Sequence, residues 1–334
     1  MHQDRWQRKT VSRVTQIRGS GSALSSRADG GTVVPAASPV AHPLAFAALV
    51  MANVMLAFGP WFVRLADVGP VAAAFWRITL AVPFLAMLAL AGGARPMRLP
   101  RGLVALLVIA GIGFAGDLGS WHLGIVRTTL ANATLFGNCA ILVYPLYGFL
   151  VARAWPTRGQ AFALALAAAG AALLLGRSYQ LDPRNLAGDL LCILAGLLYT
   201  IYIALMARIR ETMASLPALA LASMASVLPL FIYAAVLGEA IMPHAWTPLI
   251  GLALVSQVIG QGLMIFAIGQ LSPLVVGIAL LIQPIVAGTV GWIAYGERLH
   301  GADWIGVALV ATALVLVRRG EVAPRAREAQ EELA

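Results

Sequence analysis

From about Pro43 to Val317 the chain alternates long apolar runs with short polar breaks, each run about one bilayer in length. A helix needs roughly 20 apolar residues to cross the hydrocarbon, because each residue rises about 1.5 Å and every backbone amide must be paired internally. On that rule the pattern predicts spans near 43–62, 71–91, 103–122, 128–150, 159–176, 187–206, 216–237, 246–267, 272–294 and 302–317. Glycine, proline and charge mark the breaks: ADVG before Pro70, then GGARPMRLPR, ARAWPTR, GRSYQLDPRN and ARIRET. None of these connections is long enough to hold a soluble domain. The expected fold class is all-α, a polytopic membrane protein with ten transmembrane helices.

Composition narrows this further. Of 334 residues 60% are hydrophobic and only 11% charged, against about 25% charged in ordinary soluble domains, and the mean hydropathy is +0.85. No soluble core hides that much apolar surface. The formal net charge of +9 invites a nucleic-acid partner, but the basic residues sit in tails and short loops rather than on one regular face, so none is expected. Their distribution instead reports orientation. With the N-terminus inside, Arg64, Arg127, Arg177, Arg184 and Arg298 fall on the outer side, Arg77 lies within a span, and all the others of the 23 Lys and Arg residues fall on the inner side. That bias favours ten spans with both termini cytoplasmic. Residues 1–42 are read as a basic, Ser/Gly-rich flexible tail and 319–334 as a second cytoplasmic tail. Cys139 and Cys192 fall inside apolar runs without metal or redox spacing and are read as small packing residues.

The chain also echoes itself. Aligning Arg153 with Glu297 superposes ARAWPTRGQAFALALAAAGAALLLG on GERLHGADWIGVALVATALVLVRRG, each a polar turn followed by a small-residue-rich span. Two units, 43–176 and 177–318, are expected, each of five helices. Because five is odd, the second unit enters the membrane in the opposite sense, so the ten helices form two inverted five-helix repeats.

Three stretches resemble the drug/metabolite transporter superfamily in its ten-helix EamA-type branch. They are PVAAAFWRITLAVPFL at 70–85, SPLVVGIALLIQPIVAGTVGWIAYGERLHGADWIGVALVATALVLV at 272–317, and the weaker counterpart at 128–176. The resemblance implies a secondary transporter in a bacterial inner membrane. It further implies a small-molecule substrate, membrane lipid as surroundings, no cofactor and a functional monomer. Within that superfamily the aromatic and polar residues of the spans are most similar to the exporters of aromatic amino acids. The two halves are unequal: Arg153 stands where the second has Glu297, and Ala140 aligns with Pro284.

Polar groups inside spans need explanation. A charge in the hydrocarbon costs about 2.5 to 3.5 kcal/mol on insertion scales unless it is paired or reaches water. Arg77 and Asp117 lie at similar depth on neighbouring spans, so an ion pair or shared hydrogen-bond network is one reading. Outward snorkelling of Arg77, with Asp117 capping a loop, is the other. Asn53, Asn138, Tyr199, Tyr202, Gln257, Gln261 and Gln283 also sit mid-span and either pack as a hydrogen-bonded core or converge on a substrate cavity. Gln257 and Gln261, four apart, share a helix face.

Trp76 and Trp292 lie deeper than Trp61, Trp121, Trp155, Trp246 and Trp304, which are placed at the interfaces. The deeper pair, with Tyr199 and Tyr202, would either pack or stack on an aromatic solute. His122 and His300 are read as solvated edge residues and Glu297 as a cap before the last helix. The resulting expectation is export by alternating access. Proton exchange through Asp117 and downhill facilitation are both open. No metalloprotease helix, acidic metal cluster or serine elbow occurs, so an enzyme is not expected. A channel remains the weaker alternative.

Overall fold

A backbone threaded through apolar sequence has only itself to bond with, and the ordered chain is accordingly helical. The computed structural model describes residues 41–94, 99–128, 133, 136–137, 140–153, 155–176, 183–295, 301, 304–313 and 315–316. The expected tails, Asn138, Cys139, Glu297 and His300, and the side chain of Trp292, lie outside the described residues. The helices are α1 (Ala41–Ala57), α2 (Gly59–Leu65), α3 (Pro70–Ala91), α4 (Arg101–Ile125), α5 (Ala140–Ala152), α6 (Arg158–Gly176), α7 (Leu186–Arg210), α8 (Ser215–Val236) and α9 (Thr247–Gly251). A π-helical stretch, Leu252–Gln261, leads into α10 (Gly262–Ile268), α11 (Pro273–Ala279) and α12 (Ile282–Tyr295), and α13 covers Trp304–Ala313.

Among the described residues six spans are long and apolar enough to cross a bilayer: Pro43–Leu65, Pro70–Ala91, Arg101–Ile125, Pro183–Arg210, Ser215–Val236 and Thr247–Ile268. No more than 50% of any of them is buried inside the protein. Large apolar side chains such as Leu44, Met87, Ile109 and Leu228 are exposed on the outside. In water such a coat would aggregate; in lipid it is the matching solvent. The chain is therefore a multi-pass, all-α membrane protein.

Small residues set the packing. The most extensive contact joins α4 to α7, followed by α3 with α8 and α4 with α8; α5 packs on α11, and α1 on the π-helical stretch, α10 and α12. At Gly124 of α4 an added Cβ would lie 2.3 Å from Cys192 Sγ and 3.1 Å from the Gly188 carbonyl oxygen, so only glycine permits α4 and α7 to come that close. Cys192 is a buried free thiol.

Among the described residues two spans are interrupted. The first breaks between α1 and α2 at Phe58, where Pro60 supplies no N–H and the Phe58 amide falls back to the Met55 carbonyl at 3.3 Å. The other breaks between α11 and α12 at Leu280 and Leu281. There Leu281 N–H reaches Ile278 and Gln283 N–H reaches Leu280, both three residues back and both at 3.1 Å. Such tightened turns keep the freed carbonyls bonded where the helix cannot continue.

The connections 66–69 and 237–246 are clasped together. Glu239 Oε2 accepts the Ala72 backbone N–H at 2.8 Å, satisfying a free amide of the first turn of α3 from a distant loop. Asp67 Oδ2 accepts the backbone N–H groups of His244 at 2.8 Å and Ala245 at 3.1 Å, and the His244 imidazole stands 3.4 Å away. The His244 amide holds the Asp67 carboxyl below its usual value. Because the folded value is depressed, the contribution is present above the ordinary carboxylate pKa of about 4 and is lost as pH falls through the lowered one. Hydrogen exchange at His244 and Ala245, corrected for intrinsic rates, should be flat from about pH 5 to 8 and rise only below about pH 4; Asp67→Ala should show the fast rate throughout. At the other end Arg210 ties α7 to α10, its Nε donating to the Ile265 carbonyl at 3.1 Å and its Nη1 to that of Met213.

Candidate functional site

Both helix breaks face the same interior. A cavity of about 110 Å³ opens there, with Leu56, Ala57 and Pro60 from the first break and Leu280 and Gln283 from the other. Non-helical backbone at this depth is tolerated where it borders a cavity or is buried in protein. The rest of the wall carries chemistry: Arg77 from α3, Phe114, Asp117 and Trp121 from α4, Tyr199 from α7 and Gln261 from the end of the π-helical stretch. Arg77 is 4% exposed and Asp117 8%.

Among the described residues, Arg77, Gln257, Asn53 and Gln283 of the mid-span polar groups fall into two connected sets. Arg77 Nε donates to Gln257 Oε1 at 3.1 Å, and Gln257 Nε2 donates to Ser223 Oγ at 3.2 Å. This relay crosses from α3 through the π-helical stretch to α8. The second set joins the interrupted spans: Gln283 Nε2 donates to Asn53 Oδ1 at 2.9 Å, while Asn53 Nδ2 donates to the Leu49 carbonyl at 2.8 Å. Gln261 differs from these. It is 1% exposed, and its Nε2 has no hydrogen-bond partner although it borders the cavity.

The structure keeps Arg77 and Asp117 together, both buried in one wall rather than snorkelling outward or capping a loop, and sets other grouped residues apart. Arg77 and Asp117 share the cavity wall, but among the described residues no direct ion pair joins them; Gln257 takes the Arg77 Nε instead. Equal depth places two side chains in one layer without fixing which way each faces. Trp76 does not line the cavity. Its indole N–H donates to the Ile241 carbonyl at 2.6 Å and its ring meets Trp246 edge-on at 4.9 Å, because it points from α3 toward the 237–246 clasp. Tyr202 is fully buried behind the wall, stacked on Phe114 with ring centres 4.3 Å apart, while Tyr199 reaches the cavity itself.

Two residues assigned to the edges are inside. Trp121 lines the cavity; Trp155, 95% exposed, fits the interfacial reading. His122 is fully buried, its Nδ1 donating to the Pro70 carbonyl at 2.7 Å, so it is a strut between α4 and the start of α3. The signal that would have moved Trp121 inward was available: Pro60 and Pro284 stand inside apolar runs, and a broken span marks a wall of an internal site. Among the described residues no cluster of His, Cys, Asp and Glu is arranged to hold a metal.

The sequence profile of the EamA-like transporter family matches residues 43–176 and again 186–319. Solved structures also match in fold; one, described only as a crystal structure of a protein, has a TM-score of 0.68 at 15% identity and covers 84% of this chain and 97% of its own. No curated protein matches the chain.

Proposed function

The chain belongs to the EamA-like transporter family, a transporter rather than an enzyme, and on that premise we propose that it exports amino acids, aromatic ones included, by alternating access. The carrying observation is the cavity itself. Arg77 supplies a cationic donor and Asp117 a carboxyl group, Phe114, Trp121 and Tyr199 supply ring surface, and Gln261 and Gln283 supply amides. A zwitterion with an aromatic side chain is the small solute that uses all three. Ring stacking adds about 0.5 to 1.5 kcal/mol per favourable pair, enough to prefer aromatic solutes without excluding leucine.

The architecture we propose is ten helices in two inverted units, 43–176 and 177–318, with both termini cytoplasmic in a bacterial inner membrane. Two observations support it. The family profile fits twice. The helix contacts also keep their pattern when the spans of one half are exchanged for those of the other: the contact of α4 with α7 is mirrored by that of the Thr247–Ile268 span with α1, while α3 with α8 and α5 with the α11–α12 span map onto themselves. Such related halves can exchange shapes and open a central site to either side in turn.

Purified protein in sealed liposomes tests the substrate. Efflux of phenylalanine and tryptophan should exceed that of leucine, with threonine slower and a cationic drug slowest. The reading is wrong if all leak equally, or if the drug alone moves, which would favour a drug exporter of the same fold. Imposing a proton gradient in the same vesicles decides coupling: uphill accumulation assigns proton exchange, and its absence assigns facilitated export.

A further inference from the structure

The interior holds more polar capacity than its own bonds use. Arg77 has five N–H donors in a planar fork, yet only its Nε has a partner among the described residues, Gln257 Oε1. The terminal nitrogens belong to a side chain that lines the cavity. Gln257 cannot turn freely, because its own amide is committed to Ser223 Oγ and both residues are fully buried. The guanidinium is thus held at Nε by a two-step relay on two further helices, in a side chain that lines the cavity. On the same wall Gln261 Nε2 is buried without a hydrogen bond of ordinary geometry, and its side chain stands beside the Tyr199 and Tyr202 hydroxyls. A buried donor in such a place is destabilising unless something supplies an acceptor.

Resting on the amino-acid reading above, we propose that the transported solutes are monocarboxylates, whose carboxylate docks between the terminal nitrogens of Arg77 and the side-chain amide of Gln261. Gln257 and Ser223 act as positioning residues that aim Arg77. A carboxylate matches a guanidinium edge with two parallel bonds. It also has lone pairs left over for the Gln261 amide. Asp117 on the same wall argues against a phosphate or dicarboxylate, whose second negative charge it would repel, and favours a solute that also carries an ammonium group. The amine end is then a separate recognition, so acid and amine contributions can be measured apart.

Counterflow of labelled L-phenylalanine in proteoliposomes, competed by phenethylamine, which lacks the acid, and by 3-phenylpropionate, which lacks the amine, reads this directly. In Gln257→Leu the half-inhibitory concentrations of phenylalanine and phenylpropionate should rise about tenfold or more, since misaiming a clamp by an ångström carries costs of that order, while that of phenethylamine should hold within twofold. Gln257→Glu, which keeps an acceptor for Arg77 Nε, should restore most of the loss. Ser223→Ala, a milder change that keeps the protein measurable if Gln257→Leu fails to fold, should shift the two acids in the same direction by several-fold. Gln261→Leu should weaken the acids and spare the amine. Equal shifts for acid-bearing and acid-free competitors, or no rescue by glutamate, would overturn the carboxylate assignment while leaving amino-acid export standing. If the wild-type protein moves no phenylalanine at all, the export reading itself fails, and the carboxylate site with it.

Discussion

Gly111→Leu is expected to remove most of the folded protein. A Cβ at Gly111 would lie 2.5 Å from the Ala225 Cβ and 2.7 Å from the Ala222 carbonyl oxygen, and the second of these is backbone that cannot rotate away. The same crossing carries a hydrogen bond from Ser226 Oγ to the Gly111 carbonyl at 2.8 Å, so prising α4 from α8 also breaks the bond between the helices and leaves the hydroxyl only the Ala222 carbonyl at 2.9 Å. Overpacking costs about 1 to 3 kcal/mol and the lost interhelical bond about 0.5 to 1.5 more. Together they amount to roughly 1.5 to 4.5 kcal/mol, a large part of the stability of an ordinary domain. Size-exclusion of the detergent-solubilised protein should show loss of the monodisperse peak. Gly113→Ala is the control, since nothing lies within 4 Å of its added Cβ. A wild-type profile for Gly111→Leu would mean that α4 and α8 do not meet as described.

The second large effect is expected at Arg77. Hydrogen bonds to a charged group contribute about 1.5 to 3 kcal/mol each, and losing two of them from a bound carboxylate lowers transport at subsaturating solute by about 100-fold or more. Arg77→Leu should show that loss. Arg77→Lys keeps the charge but not the planar fork, and should sit between, about tenfold below wild type. Initial flux in liposomes, normalised to folded protein, measures the order. If lysine equals arginine, a point charge suffices and the fork has no role; if leucine equals arginine, the cavity is not the route.

The span pattern made the helices legible, because bilayer thickness and backbone hydrogen bonding leave little else for such runs to do. It also made polar depth legible: Asn53 and Gln283, far apart in sequence, were assigned to one layer and bond to each other. Direction was not legible. A helix in lipid is apolar on the side facing lipid and on the side facing its neighbours, so its sequence carries depth but little azimuth. Trp76 and Arg77 are adjacent on α3, yet one holds a loop and the other lines the cavity. The π-helical turn that carries Gln257 and Gln261 has no sequence signature that separates it from an α-helical span of the same composition. It was invisible for the same reason, although such turns gather at functional sites.

The bond between Asn53 and Gln283 spans the two interrupted helices. For an unloaded carrier to part them, two amides would have to lose their partners in a dry interior, each at about 1 to 3 kcal/mol. Cargo or entering water can take over those partners; an empty chamber cannot. Under the alternating access proposed above, the bridge would act as a brake on futile cycling, resisting idle swings between the two sides of the membrane.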